Sequence, residues 1–404
     1  MPFKLITERT CMSRANAERS THQLFKNFHP SVLVKAVLRG DKWVTQFILF
    51  VNPDLLKEIN SATDFSGREF KGTALQAAIA CGDFAPNENS TGLFELIVEK
   101  LKEQYPDHWH QLFHDQTLEL YTKSLRVYAK KQSEKIHDLY ERIGNGKKID
   151  LKVIKAEEKR LEAYDRALHS NDLTTIINAH TNPDPDPTNT KACDAQKDHV
   201  FQMDPALINA IAIATDTEIQ AVLDNPKINS PLSNLLKQFR ADFTKLSHEE
   251  IIFNPQHLIK IFMLHDEFYD RVERTDPNWK KRDLFRCHLV GYVQRYFPAN
   301  IAQIFANPGL FDTVEKNMKN ARRFHFKIGG GPIFPLSFDS NSGLGYKFSM
   351  LVSGGGSRNG YGRMATVGAV PTFSKLMSNK NSKLSRLIRS IRDSGKEPMY
   401  NSVM

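Results

Sequence analysis

Two stretches of the sequence gather residue types that can do chemistry. The first is DHWHQLFHD, in which His110 and His114 would share one helix face at i, i+4, a spacing that can chelate zinc, with Asp107 and Asp115 alongside. No HExxH motif accompanies them, and with Trp109 interleaved the cluster reads as the surface end of a helix, so no metal ligand is assigned. The second stretch holds His248-Glu249-Glu250, His257 and His265-Asp266-Glu267. Here Ser247 precedes an apolar run and reads as a helix N-cap, with Glu249 and Glu250 placed to favour the positive helix end. Cys287 and His288 are adjacent, so on a helix their side chains would diverge, and the cysteine reads as a buried apolar group. There is no GxSxG elbow. Gly329-Gly330-Gly331 and Gly354-Gly355-Gly356 do not fit GxxxxGK[ST] and read as turn glycines. The sequence therefore leaves catalytic residues unknown, leaves open whether the chain is an enzyme, and calls for no cofactor.

The elements that must carry such residues are helices. The chain has 404 residues, enough for two or three domains with cores of their own, and its 40% hydrophobic and 25% charged residues match globular averages. No run approaches the roughly 18 to 20 apolar residues of a membrane span, and the first residues lack the apolar core of a secretory signal, so a soluble protein is expected. Cys11, Cys81, Cys193 and Cys287 are scattered without CxxC spacing, which fits a reducing compartment. The net charge of +9 is not evenly spread. Residues 321–404 hold 13 Lys and Arg against 3 Asp and Glu, whereas the first 320 hold 42 against 43. A localised basic surface of this kind suits anionic lipid, nucleic acid or an acidic partner, or a solvated tail.

An internal repeat sits near the start. SVLVKAVLRGD (Ser31 to Asp41) and TALQAAIACGD (Thr73 to Asp83) align without gaps, 42 residues apart, and share Leu33/Leu75, Ala36/Ala78, Gly40/Gly82 and Asp41/Asp83. Each is followed by an apolar helical stretch, WVTQFILFV or GLFELIVEKL. A small Ala admits a close partner helix and Gly permits the tight turn, so each copy reads as helix, turn, helix. Thr73, Leu75, Ala78 and Gly82 stand where the ankyrin motif places its Thr, Leu, Ala and Gly, and this region resembles an ankyrin pair. It departs from the motif in Ala74 and Gln76, which replace Pro and His, and in a longer spacing that contains DFSGREFKG. ALHSNDLTTIINAH (Ala167 to His180) is a fainter echo.

Further along, three-to-four spacing over residues 116–143 predicts one long helix ended by Gly144-Asn145-Gly146, paired as a hairpin with a helix capped by Asp150. NPDPDPTN (Asn182 to Asn189) forbids helix and marks the best domain boundary. Helical patterns resume after it, and near Arg322 alternation around Gly clusters predicts a small sheet. The expected fold is mainly α: an ankyrin-like region (1–110), a helical hairpin (111–181), a second helical domain (190–320), a Gly-rich β unit (321–373) and a basic tail (374–404). Within the tail, KLSRLIRSIR would set Leu384, Leu387, Ile388 and Ile391 opposite Lys383, Arg386, Arg389 and Arg392, a helix that either lies on anionic membrane or packs on the protein.

DFSGREF before TALQAA, then GYVQRYFPANIAQIFANPGLF, then RRFHFKIGGG and FPLSFDSNSGLGYKF together resemble Dot/Icm-type type IV secretion effectors of intracellular bacterial pathogens. The resemblance implies a virulence protein secreted without a classical signal peptide into the host cytosol, where it acts on a host component. It supplies no catalytic residues. The function expected is recognition of a host protein by helical-repeat surfaces, with Arg39, Asp41, Trp43 and Asp83 at the contact, and with Lys383, Arg386, Arg389 and Arg392 available to an anionic surface. Two alternatives stand beside it. One is an enzyme with an unrecognised site. The other is nucleic-acid binding, in which Phe324, Phe326, Tyr346, Phe348 and Tyr361 alternate with Arg322, Arg323, Lys327, Lys347, Arg358 and Arg363. Oligomeric state is not legible.

Overall fold

Gly40 and Gly82 open the architecture because the chain turns sharply at both, with φ of +62° and +59°, where a side chain would be strained. The helices before them, α1 (Ser31–Leu38) and α3 (Ala74–Ala80), end in the same hydrogen-bonded turn. Asp41 N–H donates to Ala36 O at 2.9 Å and Asp83 N–H to Ala78 O at 2.8 Å, while Gly40 and Gly82 donate to Val37 O and Ile79 O, both at 2.9 Å. This is the Schellman closure of a helix C-terminus, and the repeat seen in the sequence is largely its residue requirements written twice. After each turn comes a second helix, α2 (Lys42–Val51) or α4 (Leu93–Gln104), and between the two pairs lies a hairpin of β1 (Asn60–Thr63) and β2 (Glu69–Gly72). α1 packs on α3 and α2 on α4, so the pairs stack in register.

The structure is a computed structural model that describes residues 29, 31–181, 194–225, 227–271, 276–306, 310–319, 327–328, 331–332 and 369–393. It is mainly α, as expected. α5 (Trp109–Gly144) begins earlier than the periodicity suggested, buries Phe113, Leu120, Leu125 and Tyr128 along one stripe, and ends where Gly146 takes φ +77°. Asp150 caps α6 (Leu151–Ser170) by accepting from Lys152 N–H at 2.9 Å, as its position before the helix predicted, and α6 packs along α5. α7 (Leu173–His180) closes this half. The second half holds α8 (Ala195–Asp198), α9 (Pro205–Ile213), α10 (Asp216–Asp224), α11 (Pro231–Glu249), α12 (Gln256–Arg271) and α13 (Asp276–Phe285). A π turn over Arg286–Val290 then leads into α14 (Gly291–Gln294), α15 (Ala299–Ala306) and α16 (Leu310–Val314).

Buried apolar side chains form two clusters, one built on α1–α7 and one on α9–α16. α17 (Ala369–Asp393) belongs to both: Phe373 and Leu376 sit in the second cluster, and Leu384, Ile388 and Ile391 in the first. The amphipathic helix expected at Lys383–Arg392 is therefore present, longer than expected, and packed on the protein by its apolar face. No single helix among the described residues is long and apolar enough to cross a membrane. Of the Gly-rich β unit expected over 321–373, the described residues include a two-residue ladder, Lys327↔Pro332 and Ile328↔Gly331, and residues 369–373, which are the start of α17 and not sheet; the linker Asn182 to Asn189 lies outside them.

Candidate functional site

Four places among the described residues come first, and geometry separates them. The first is the inner rim of the repeat, where both Schellman turns point. It is occupied by the chain itself. Asn300 and Gln303, one turn apart on α15, donate their amides to Gly82 O at 2.8 Å and Gly40 O at 3.2 Å, so one helix face reads the two equivalent turns. Lys380 of α17, fully buried, donates to Gly82 O at 2.7 Å and Phe84 O at 3.0 Å. Asn87 in the following loop donates to Thr313 O and Met318 O at 2.7 and 2.9 Å. Carbonyls at a helix end need donors, and here the second half of the molecule supplies them.

The second place is a buried polar centre where the hairpin meets the second half. Asp64 folds its own loop, accepting from Ser66 N–H, Ser66 Oγ and Arg68 N–H at 2.8, 2.6 and 3.1 Å, and it holds Arg68 Nε at 3.1 Å. Close by, His257 Nε2 meets Glu250 Oε1 at 2.9 Å, and His257 Nδ1 accepts Phe201 N–H at 3.2 Å. With both ring nitrogens engaged, His257 has none left to take a proton from Ser247, whose Oγ donates to Thr244 O at 3.1 Å. The cavity among these groups is about 20 Å³, room for a water but not a substrate. Ser247 is not an N-cap. The stripe Leu232, Leu236, Phe239, Phe243 carries α11 straight through it, and the caps are Ser230, accepting from Ser233 N–H at 3.1 Å, and Asn254, accepting from Gln256 N–H at 3.0 Å ahead of α12.

The third place surrounds the π turn. Every residue from Leu284 to Gln294 is buried, so this segment is enclosed on all sides rather than amphipathic. Arg240 Nη2 donates to His288 Nδ1 at 2.6 Å, and burial next to this guanidinium pushes the imidazole down to about 3. Burial likewise pushes the Cys287 thiol up to about 12, which removes it as a nucleophile and leaves it the buried apolar group that the sequence suggested. His110 and His114, expected at the surface end of a helix, are instead buried near the start of α5; His110 lies against Trp109 and His114 Nδ1 contacts Asp115 Oδ1 at 3.3 Å. Among the described residues no group of three or more His, Cys, Asp or Glu is placed to hold a metal.

The fourth place is the outer face of α2. Asp41 caps this helix, accepting from Val44 N–H at 3.0 Å. Thr45, Ile48 and Leu49 face the core, while Trp43 and Phe50 stand 62% and 68% exposed on the other side. Phe47, half-buried between them, stacks on Trp43 with centroids 5.7 Å apart and planes 5° from parallel. Spacing of i, i+4 and i+7 makes an aromatic ridge two turns long.

Of the residues expected at a partner contact, the structure brings Trp43 to this ridge and Arg39 and Asp41 near its start. Arg39 lies over the Phe65 ring at 5.2 Å. Asp83 does not belong there: it is 1% exposed, and its Oδ1 accepts Leu93 N–H at 3.1 Å to start α4, so it serves the turn. Phe47 and Phe50 were not singled out in the sequence, although a helix with apolar residues on more than one face, as WVTQFILFV is, carried the signal. Lys383 faces Glu95 at 3.8 Å, Arg386 and Arg389 are exposed, and Arg392 lies in α17 with its side chain outside the described residues. The aromatic and arginine residues suggested for nucleic acid fall outside the described residues, except for the backbone of Lys327. No family model, no curated protein and no solved structure matches the chain.

Proposed function

We propose that the chain acts by binding a protein, and that the aromatic ridge of α2 is the contact. The observation that carries this reading is the exposure of Trp43 and Phe50 on either side of Phe47, on a helix whose opposite face is core. Exposed aromatic side chains offer large apolar area at small conformational cost, and such residues dominate the energy of protein interfaces. Arg39 and Asp41 would form a charged rim beside them. The segments that resemble Dot/Icm-type effectors support a host protein as the partner and the host cytosol as the compartment.

An enzymatic reading has less support, because the cluster of Glu250, His257 and Ser247 uses both imidazole nitrogens internally. Membrane insertion through α17 has less support too, since Leu384, Ile388 and Ile391 are already buried against the first core. The test compares capture of host-cell proteins by the intact chain and by a Trp43→Ala, Phe50→Ala double variant with unchanged melting temperature. Exposed positions tolerate such changes, so the fold should persist while a specific captured protein is lost. An identical capture profile from both would refute the ridge as the contact.

A further inference from the structure

A pocket of about 160 Å³ opens between the approach to α9 and the outer face of α11. Its floor is aromatic. Phe201 sets its edge against Phe239 and Phe243, with centroids at 5.9 and 5.5 Å, and the last two lie nearly parallel, 6.1 Å apart, all three buried. Its rim is acidic and polar, formed by Asp204, Asp242, Gln202 and Gln238, and no Lys, Arg or His lines it. One oxygen of each carboxylate is committed: Asp204 Oδ1 accepts Ala206 N–H to cap α9, and Asp242 Oδ1 accepts Gln238 Nε2–H, both at 2.8 Å. A carboxylate has two oxygens and several lone pairs, so each retains acceptor capacity at the mouth.

We propose that this pocket receives the cationic side chain, lysine or arginine, of a partner polypeptide. An alkyl stem laid on three phenyl groups loses apolar surface to them, which leaves the positive head at the mouth. Two carboxylates at the mouth supply the opposite charge and the acceptors that the ammonium or guanidinium requires. Size selects the occupant: sites for whole small molecules usually run from about 300 Å³ upward, and this one holds a single long side chain. The assignment does not depend on the α2 ridge, which lies on the other core.

The test uses the full chain, methyl-labelled, with the signals of Leu235 and Leu246 at the pocket wall as reporters. Nα-acetyl-lysine methylamide should shift them saturably, whereas the norleucine analogue, equal in stem but without charge, should not. Asp242→Asn keeps an acceptor for Gln238 and should leave the melting temperature unchanged while weakening the lysine probe at least ~fivefold. Raised salt should weaken it in the same direction. Equal binding of norleucine, full binding to the Asp242→Asn chain, or no saturable shift would overturn the proposal. So would dimerisation that is lost in Asp242→Asn, because the occupant would then be a second copy. Loss of host-protein capture in the Trp43→Ala, Phe50→Ala chain with lysine binding intact would separate this site from the ridge.

Discussion

The two cores solve the problem of buried polar groups in different ways. In the first, the repeated demand comes from backbone atoms at helix ends, closed by the glycine turns and by the Thr73 capping box, in which Thr73 Oγ1 accepts Gln76 N–H at 3.2 Å and Gln76 Oε1 accepts Thr73 N–H at 2.9 Å, with buried ionisable groups such as Glu157 and His180 set apart along the helices. In the second, it comes from ionisable side chains drawn inside: Arg240, Arg282, Arg286, His265 and His288 are all buried around the π turn. Backbone demands are local and leave a signature in sequence. Buried cations answer to neighbours far along the chain, and they make the second core the more sensitive to charge.

Acid should break this comparison most strongly, because each core also holds a histidine that burial keeps neutral. His180, against Ser124 Oγ at 2.8 Å and between the rings of Tyr121 and Tyr128, is pushed down to about 3, as His288 is in the second core. A histidine whose value falls on folding contributes stability that is present above its ordinary value near 6.5 and lost as pH drops toward the folded one. Between pH 7 and pH 5 each should cost about 2 kcal/mol, about 4 kcal/mol for the pair. Urea midpoints across this range measure the loss. Replacing either residue by Gln should flatten the slope by about one proton, and an unchanged slope in His180→Gln would show that the first core does not share the sensitivity.

A smaller effect sharpens the comparison at a place where a fully buried charge ties the two cores. Lys380→Met keeps the stem of the side chain but removes the donor to Gly82 O and Phe84 O. Buried carbonyls that lose a charged donor cost about 2 to 3 kcal/mol, and chemical denaturation should show that loss. Because Asn300 still donates to Gly82 O at 2.8 Å, the loss should fall at the low end. No change in stability would mean that the lysine is accommodated rather than used.

What was legible in the sequence follows the same division. The repeat, its glycine turns, the long helix and the Asp150 cap were readable because each depends on residues within about four positions. The course of α17 was readable as an amphipathic face but not as a bridge, since its two apolar patches answer to two cores. Ser247 was misplaced because a serine before Glu-Glu satisfies the local cap pattern equally well in the last turn of a helix; only the continuing stripe through Phe239 and Phe243 separates the two readings. Of the α2 ridge, only Trp43 stood out. Phe47 and Phe50 lie in the same largely apolar stretch, and which side of such a helix faces outward is decided by packing.

The smallest expected effect is also the most discriminating. Gly40 and Gly82 are equivalent by sequence, by φ and by hydrogen bonding, so any residue with a Cβ should strain both turns alike, by about 1 kcal/mol. Their surroundings differ. A Cβ at Gly82 would meet nothing within 4 Å, whereas one at Gly40 would lie 3.2 Å from the Gln303 amide and 3.3 Å from Ala299 Cβ. Gly82→Ala should therefore cost about 1 kcal/mol from backbone strain alone, and Gly40→Ala about 1 kcal/mol more as α15 is pushed off the turn. Truncating the obstruction should cancel the difference: in an Ala299→Gly, Gln303→Ala background the two glycine substitutions should cost nearly the same. A gap between them that survives this truncation would mean that α15 does not rest on the first turn as Gln303 indicates, and that the two cores meet there only loosely.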